Sequence, residues 1–321
     1  EELRREIAQA VASVPFHRYP DPMATEVCRR FAELYELDPA SLTAGNGSDE
    51  LLGLAVNGFF DHGDKVVCLS PDFVMYRFYG ELAGLEMINL YKDDRLTISV
   101  DEIIEEIKRQ GARGILFSNP CNPTSLGFRR EEVRRLITET DALVLIDEAY
   151  MDFWDQSLLP EITGYPNALI FRTCSKALGF ASVRLGFTVA NERLTRVMRS
   201  IKSPYNVNAL TQAAAGVFLR RKEEIRERTR RIIQSRDAFY QRFLQLKDTY
   251  GVIRALPQPK TNFVYLTFED GVARQMETAL RAQSIAVRRL GKSLRISAGS
   301  EEEYRRLFTA MEAVLRQLQQ G

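Results

Sequence analysis

Ala142-Leu143-Val144-Leu145-Ile146 is an unbroken apolar run, and the carboxylic acid Asp147 follows it directly. A run this short and this rich in branched residues indicates a strand that is buried on both faces. Similar runs, each bounded by turn residues, occupy 65–69, 114–117 and 168–171. We therefore expect these strands to lie in the interior of one sheet.

Helical patterns separate the predicted strands. Apolar residues recur at helical spacing over 49–60, 73–83, 101–110 and 130–140. Strands that alternate with helices predict an α/β fold, in which a mostly parallel central sheet is flanked by helices on both faces. Ligands of such sheets bind beyond the carboxyl ends of the strands, where the connecting loops converge. Asp147 lies at such an end.

The pattern changes in the last third of the chain. Residues 208–246 predict one long charged helix or a pair of helices, and shorter strand and helix patterns follow. These later patterns indicate a smaller α+β domain. We expect an N-terminal arm over 1–21, a large domain over 22–217 and a small C-terminal domain over 218–321.

Charge and composition limit the function classes. The 321 residues include 44 Lys and Arg and 43 Asp and Glu, which leaves a formal net charge of +1. This balance provides no general field for nucleic acid or for an acidic membrane. The arginine-rich run 220–231 has interspersed glutamates, so we interpret it as a solvated helix and not as a nucleic-acid site. No segment has the length and apolarity of a membrane span, and we expect a cytoplasmic protein.

The cysteines and histidines form no recognisable site. Cys28, Cys68, Cys121 and Cys174 have no paired spacing, and the chain has 2 histidines. This pattern supports neither a disulfide framework nor a zinc site. We therefore expect reduced, largely buried cysteines and no metal.

Lys176 follows the predicted strand at 168–171, close to Thr173 and Ser175 and eight residues before Arg184. A lysine amine that bonds to an aldehyde must be partly desolvated and near other positive charge. The two hydroxyls and the guanidinium can provide that setting and can also bind a phosphate. From composition alone, a solvated surface lysine remains the alternative.

Asp147 would be buried at the end of its strand unless a cation meets it. A protonated pyridine nitrogen is a suitable cation, and this pairing keeps the ring an electron sink. Tyr150 lies three residues further on, and Asn122 follows the predicted strand at 114–117. Both side chains could hydrogen-bond a hydroxyl oxygen of the same ring. An aspartate that caps the next turn is the alternative.

A glycine-rich turn over 45–50 opens the first of these helices. Free backbone N–H groups at a helix start bind anions, so Gly47, Ser48 and Asp49 are candidate phosphate ligands. Ser48 or Asp49 as an ordinary N-cap is the alternative. Phe73 begins the next predicted helix, where it either stacks on a cofactor ring or fills the core as an ordinary aromatic residue.

Several short motifs occur along the chain in a fixed order. They occupy 18–22, 45–51, 119–124, 147–150, 175–177 and 184–187. Together they resemble the fold-type-I pyridoxal-phosphate-dependent aminotransferases, over nearly the whole chain. Within that family the sequence is most similar to the histidinol-phosphate aminotransferases, also at 202–208 and 212–215. The resemblance implies the two-domain fold of these enzymes and pyridoxal 5'-phosphate as cofactor.

The resemblance also implies roles for the candidate residues. Lys176 would bond to the cofactor and then carry a proton between substrate and cofactor, and Asp147 would pair with the ring nitrogen. Asn122 and Tyr150 would contact the ring oxygen, and we expect Tyr150 to take part in catalysis with Lys176 and Asp147. The side chains that would bind the phosphate are Ser48, Thr173, Ser175 and Arg184.

Substrate and subunit contacts follow from the same resemblance. A tyrosine at the position of Tyr19 reaches the cofactor phosphate of the neighbouring subunit, which implies a homodimer with shared sites. Arg295 would bind the carboxylate of glutamate or the phosphate of histidinol phosphate, because one guanidinium can bind either anion. Arg288 is a second candidate anion contact. The implied reaction transfers an amino group between these small molecules and their keto partners, 2-oxoglutarate and imidazole-acetol phosphate, in histidine biosynthesis.

Some positions depart from the family pattern. Cys121 and Ser125 stand where the family usually has asparagine and glycine, and Cys174 stands where it has leucine. These changes do not remove any of the chemical groups that the reaction needs. Three alternatives stay open, which are an aromatic amino-acid aminotransferase, a threonine-phosphate decarboxylase and an inactive cofactor-binding relative.

Overall fold

The structure is a computed structural model, and it describes residues 1–320. In this part of the chain, a central sheet of 7 strands and a second sheet of 4 strands are formed. The strands are β1 (Leu42–Gly45), β2 (Lys65–Ser70), β3 (Glu86–Tyr91), β4 (Gly114–Ser118), β5 (Leu143–Asp147), β6 (Ala168–Thr173), β7 (Gly186–Ala190), β8 (Ile253–Ala255), β9 (Phe263–Phe268), β10 (Arg288–Leu290) and β11 (Ser293–Ser297).

Helices connect most of the strands. They are α1 (Glu2–Ala12), α2 (Thr25–Tyr35), α3 (Ser48–Phe59), α4 (Met75–Leu82), α5 (Val100–Gln110), α6 (Arg130–Thr138), α7 (Glu192–Ile201), α8 (Ala209–Phe218), α9 (Lys222–Tyr250), α10 (Val272–Ala282) and α11 (Glu301–Gln320). Of the helices in residues 1–320, none combines the length and apolarity that crossing a membrane requires.

The central sheet has the strand order β1-β7-β6-β5-β4-β2-β3. β7 runs antiparallel to its neighbours β1 and β6, and the remaining pairs are parallel. The prediction of a mostly parallel sheet is therefore confirmed. Val144 and Ile146 of the central strand β5 belong to one apolar core, and Leu145 belongs to another. Successive side chains of a strand point to opposite faces, so burial of both faces explains the unbroken apolar run.

Helix α4 begins at Met75, two residues later than predicted. The backbone N–H of Phe73 donates to the carboxylate of Asp72, and the carbonyl of Phe73 accepts from the N–H of Tyr76. These bonds form a tight turn ahead of the helix, which a pattern of apolar spacing does not distinguish from the helix itself. Phe73 therefore lies in the turn that leads into α4.

The second sheet is antiparallel, with the order β10-β11-β9-β8. It packs with α9, α10 and α11 around a separate apolar core. The charged region 208–246 forms a pair of helices, α8 and most of α9. Ile225 of α9 packs in the first core and Phe239 in the second, so this helix joins the two units. The division between residues 217 and 218 stays a prediction, because α9 belongs to both cores.

Candidate active site

A cavity of about 340 Å³ lies at the carboxyl ends of β4, β5 and β6. The last residues of these strands, Ser118, Asp147 and Thr173, all line it. Because parallel strands end at the same edge of a sheet, groups that are distant in sequence meet here. The predicted site residues that line the cavity are Ser48, Asp49, Phe73, Asn122, Asp147, Tyr150, Thr173, Ser175, Lys176 and Arg184.

Asp147 is a buried carboxylate at the floor of this site, with 5% of its surface exposed. Its Oδ2 accepts a hydrogen bond from the Tyr76 hydroxyl at 2.8 Å, and its Oδ1 accepts one from the backbone N–H of Ala149 at 3.0 Å. Burial raises the pKa of Asp147 to about 6, although these two hydrogen bonds oppose the shift. Within residues 1–320, no basic group lies at ion-pair distance from Asp147. The carboxylate is therefore suited to a cation supplied by a ligand.

A second part of the cavity is suited to an anion. Helix α3 starts at Ser48, and no side chain caps the N–H groups of its first turn. Gly47, which precedes it, has a φ of 85°, and a Cβ atom there would lie 2.6 Å from the guanidinium of Arg184. That guanidinium donates to the Ser175 hydroxyl at 3.2 Å. A helix N-terminus beside a guanidinium forms a binding site for a phosphate group.

Lys176 lines the same cavity as these two parts. It follows β6 in the chain, is half-buried, and lines the cavity together with Asp147. Its Nζ is 5.3 Å from the centroid of the Tyr150 ring, which is itself buried. The Tyr150 ring packs nearly at right angles to the Phe263 ring, with the centroids 5.2 Å apart. The amine is therefore held close to the buried carboxylate and is partly shielded from water.

Arg295 approaches the cavity from the second sheet. It lies on β11, and its Nη1 donates a hydrogen bond to Oδ1 of Asn122. Arg288 lies opposite Arg295 on β10 and is exposed. Both arginines line a different cavity of about 490 Å³ beside the second sheet. Neither arginine lines the cavity that contains Asp147, but Arg295 reaches its rim through the hydrogen bond to Asn122, which lines it.

Tyr19 lies outside the cavity of its own chain. Its side chain is 80% exposed and stacks on Tyr205, with the ring centroids 4.5 Å apart. Phe16 is exposed to a similar extent, and Met23 also presents apolar surface. These exposed apolar side chains lie close together in the sequence, and exposed apolar surface is typical of a region that another molecule covers.

The sequence prediction missed Tyr76 and Ser118, which both line the cavity. Tyr76 was expected only as part of a helix, yet its hydroxyl binds Asp147. Ser118 ends β4, and its Oγ donates to the half-buried carboxylate of Asp72 and accepts from the backbone N–H of Asn122 at 3.0 Å. The position of Ser118 at a strand end was a usable signal. No local signal marks Tyr76 as the partner of a residue 71 positions away.

The chain matches the model of the family "Aminotransferase class I and II" over residues 1–311. The chain belongs to the class I and II aminotransferases. Its resemblance to this family, expected from the motifs, is thereby confirmed. It is a pyridoxal-phosphate-dependent aminotransferase, and the cofactor of its fold type is pyridoxal 5'-phosphate.

Relatives of this aminotransferase share most of its length. A histidinol-phosphate aminotransferase of Clostridium novyi (strain NT) is 33% identical over 307 residues, which are 94% of this chain and 84% of that protein. The crystal structure of histidinol-phosphate aminotransferase from Sinorhizobium meliloti in complex with pyridoxal-5'-phosphate has a TM-score of 0.87 and 24% identity, over 98% of this chain and 87% of that one. The L-threonine-O-3-phosphate decarboxylase of Porphyromonas gingivalis has a TM-score of 0.83 and 20% identity, over 98% and 95% of the two chains. At these identities the solved structures establish the fold.

The cavity of this aminotransferase fits pyridoxal 5'-phosphate. The buried carboxylate of Asp147 lacks a cationic partner among the described residues, as a group that meets a pyridinium should. The start of α3 and Arg184 offer donors for a phosphate, and Gly47 provides space that a side chain would fill. Lys176 lines the same cavity as both parts. The carboxylate thus matches the ring nitrogen of the cofactor, the start of α3 and Arg184 match its phosphate, and the Lys176 amine matches its aldehyde.

Proposed function

We propose that this aminotransferase converts L-histidinol phosphate and 2-oxoglutarate into imidazole-acetol phosphate and L-glutamate, or the reverse, in histidine biosynthesis. The observation that carries the proposal is the hydrogen bond from Arg295 to Asn122 at the rim of the cavity. One guanidinium in this position can bind the carboxylate of glutamate in one half-reaction and the phosphate of histidinol phosphate in the other. The relatives named histidinol-phosphate aminotransferase support the same assignment.

We assign the cofactor contacts residue by residue. Asp147 would pair with the ring nitrogen, Asn122 and Tyr150 would hydrogen-bond the ring oxygen, and Phe73 would stack on the ring. The groups that would hold the phosphate are the side chains of Ser48, Thr173, Ser175 and Arg184 and the backbone at Gly47 and Asp49. When bound, the cofactor supplies an electron sink that stabilises negative charge at the substrate α-carbon.

The chain's own groups would then perform the proton transfer. Lys176 would hold the cofactor through its aldehyde and, once displaced by the substrate amine, move the proton of the substrate α-carbon. Tyr150 lies beside the Lys176 amine and limits its contact with water. Arg295 would hold the anionic end of the substrate so that the α-carbon lies within reach of Lys176. Binding, orientation and proton transfer are thereby divided among different residues.

The proposal includes a homodimer in which Tyr19 reaches the cofactor phosphate of the neighbouring subunit. It is supported by the exposure of Tyr19 and Phe16, which form apolar surface on the monomer. Sedimentation of the purified enzyme should give the mass of two chains, and a monomer at micromolar concentration would contradict the arrangement. We also propose a cytoplasmic location, because the four cysteines are free and buried, as is usual in reducing compartments.

A single-turnover experiment tests the reaction and the substrate together. The cofactor-loaded enzyme is mixed with L-histidinol phosphate, and the cofactor absorbance is followed until 2-oxoglutarate is added. We expect conversion to the amino form of the cofactor and recovery on addition of the keto acid. Conversion by phenylalanine and glutamate but not by histidinol phosphate would favour the aromatic aminotransferase. Release of CO2 from threonine phosphate would favour the decarboxylase, and no response to any amine would favour an inactive relative.

A further inference from the structure

Ser125 has an unusual conformation in the loop that follows β4. Its φ is 62°, in the left-handed region that residues with a side chain rarely adopt. Glycine would adopt this conformation without steric cost. The side chain is also completely buried, with 0% of its surface exposed. A costly conformation persists where surrounding contacts compensate for it, and the contacts of this serine are specific.

The hydroxyl of Ser125 joins two distant parts of the chain. Its Oγ lies 2.6 Å from Oγ1 of Thr261 and accepts hydrogen bonds from the backbone N–H groups of Lys260 at 3.0 Å and Thr261 at 3.1 Å. It is also 3.3 Å from the carbonyl oxygen of Phe263, to which it can donate. The backbone oxygen of Ser125 accepts from the same Lys260 N–H at 2.9 Å. The hydroxyl therefore uses both its donor and its acceptor capacity on the segment 260–263.

Each side of this contact carries a residue of the candidate active site. Ser125 lies three residues after Asn122, and its N–H closes their loop by donating to the Cys121 carbonyl at 2.9 Å. On the other side, the segment 260–263 leads directly into β9, which pairs with the strand that carries Arg295. Arg295 in turn binds Asn122. The loop and the second sheet thus meet through the contacts of Asn122 and of Ser125, and Ser125 does not line the cavity.

We propose that Ser125 is a positioning residue that holds the sheet carrying Arg295 against the loop carrying Asn122. The affinity for anionic substrates then depends on a hydroxyl that does not line the cofactor cavity. The inference rests on the proposed function, because it uses the assignment of Arg295 as the substrate anion contact. It adds a residue, Ser125, whose effect on substrate binding is transmitted through the second sheet.

Two substitutions separate the hydroxyl from the backbone conformation. Ser125→Ala removes the hydroxyl and keeps the strained φ, whereas Ser125→Gly removes both the hydroxyl and the strain. In the cofactor-loaded full-length enzyme, we expect both variants to increase hydrogen exchange at the amides of Lys260 and Thr261 by about tenfold. We also expect KM for glutamate to rise about tenfold and kcat to change less than about threefold. The reason is that the lost interaction holds the substrate equally well in the ground state and in the transition state. The affinity for pyridoxal 5'-phosphate should stay within about twofold of wild type, since Ser125 does not line that cavity.

Matched variants make the result specific. Ser200→Ala removes an exposed hydroxyl that bonds only within its own helix, and it should leave exchange and KM unchanged. Thr261→Val removes the partner hydroxyl, and its effect should not add to that of Ser125→Ala, because the two variants break the same contact.

Four outcomes would overturn the inference. If Ser125→Gly restores wild-type exchange and KM, only the backbone conformation matters. If exchange increases while KM stays constant, Ser125 is structural and does not position Arg295. Arg295→Gln is the reference: if it raises KM for glutamate and Ser125→Ala does not, the role of Ser125 is wrong while the proposed function stands. If Arg295→Gln leaves KM unchanged, the assignment of Arg295 fails and the role of Ser125 fails with it.

Discussion

The two sides of the candidate active site are built in different ways. On the side that we assign to the cofactor, Asp147 and Thr173 end neighbouring strands of one sheet, so the sheet itself places them together. On the side that we assign to the substrate anion, Arg295 belongs to a second sheet with its own core. It meets Asn122 only because the two units pack against each other. The first side depends on backbone topology and the second on a tertiary contact.

The cofactor side should be the most sensitive to substitution at Lys176. We expect Lys176→Ala to slow amino transfer by at least about a thousandfold, on the order of 4 kcal/mol of barrier, because the group that moves the proton is lost. The variant should remain folded and bind the cofactor without a covalent bond, since Asp147 and Arg184 are intact. Single-turnover absorbance measures the rate and circular dichroism the fold. Lys176→Arg keeps the charge and should be equally slow, and near-normal turnover by either variant would contradict the assignment.

The buried carboxylate of Asp147 gives the same side a distinctive pH dependence. Burial raises the pKa of Asp147 from 3.8 to about 6, so the folded cofactor-free protein binds a proton at this carboxylate more tightly than the unfolded chain does. The stability from this group is therefore fully present below about pH 4 and is lost as the pH rises through 6, by up to about 3 kcal/mol. We expect the free energy of unfolding of wild type, relative to Asp147→Asn, to fall by an amount of this order between pH 4 and pH 7. Urea unfolding of the two apoproteins measures these free energies. A difference between wild type and Asp147→Asn that stays constant from pH 4 to pH 7 would refute the prediction.

Paired arginine substitutions test the substrate side. Arg295→Gln should raise KM for glutamate by roughly thirtyfold, or about 2 kcal/mol, because a charged hydrogen bond to the carboxylate is lost. Arg288→Gln should change KM by less than about threefold, because Arg288 is exposed and it is Arg295 that hydrogen-bonds Asn122. Steady-state kinetics on matched preparations give both values. Equal losses in the two variants would show that the contact with Asn122 does not select the anion site.

A smaller effect is expected where a tertiary contact supports the cofactor side. Tyr76→Phe removes the hydroxyl that donates to Asp147, so the pKa of Asp147 should rise further. We expect the cofactor to bind about fivefold more weakly at neutral pH, or about 1 kcal/mol. Fluorescence titration of the apoprotein measures the dissociation constant. The control is Tyr240→Phe, because the Tyr240 hydroxyl contacts the Leu256 carbonyl beside the second sheet. This variant should leave the dissociation constant unchanged. A similar loss of affinity in it would argue against a specific effect of the Tyr76–Asp147 hydrogen bond.

Much of the architecture could be predicted from the sequence, because strands and helices are marked by patterns among neighbouring residues. Unbroken apolar runs indicated strands buried on both faces, and the residues after those runs proved to line one cavity, as with Asn122, Asp147 and Lys176. The start of α4 could not be placed, because the turn at Phe73 depends on the side chain of Asp72. Tyr76 and Ser118 were missed for a related reason, since their roles follow from partners elsewhere in the chain.

The sequence by itself determined the sheet, the family and the residues at the strand ends, because strand periodicity and short motifs are properties of neighbouring residues. The tertiary structure alone decided which distant groups meet. The contacts of Tyr76 with Asp147, Arg295 with Asn122 and Ser125 with Thr261 join residues 71, 173 and 136 positions apart. The last two contacts depend on how the two separate cores pack, and the first on how α4 packs on the central sheet. No local pattern encodes a distance between residues that only packing brings together.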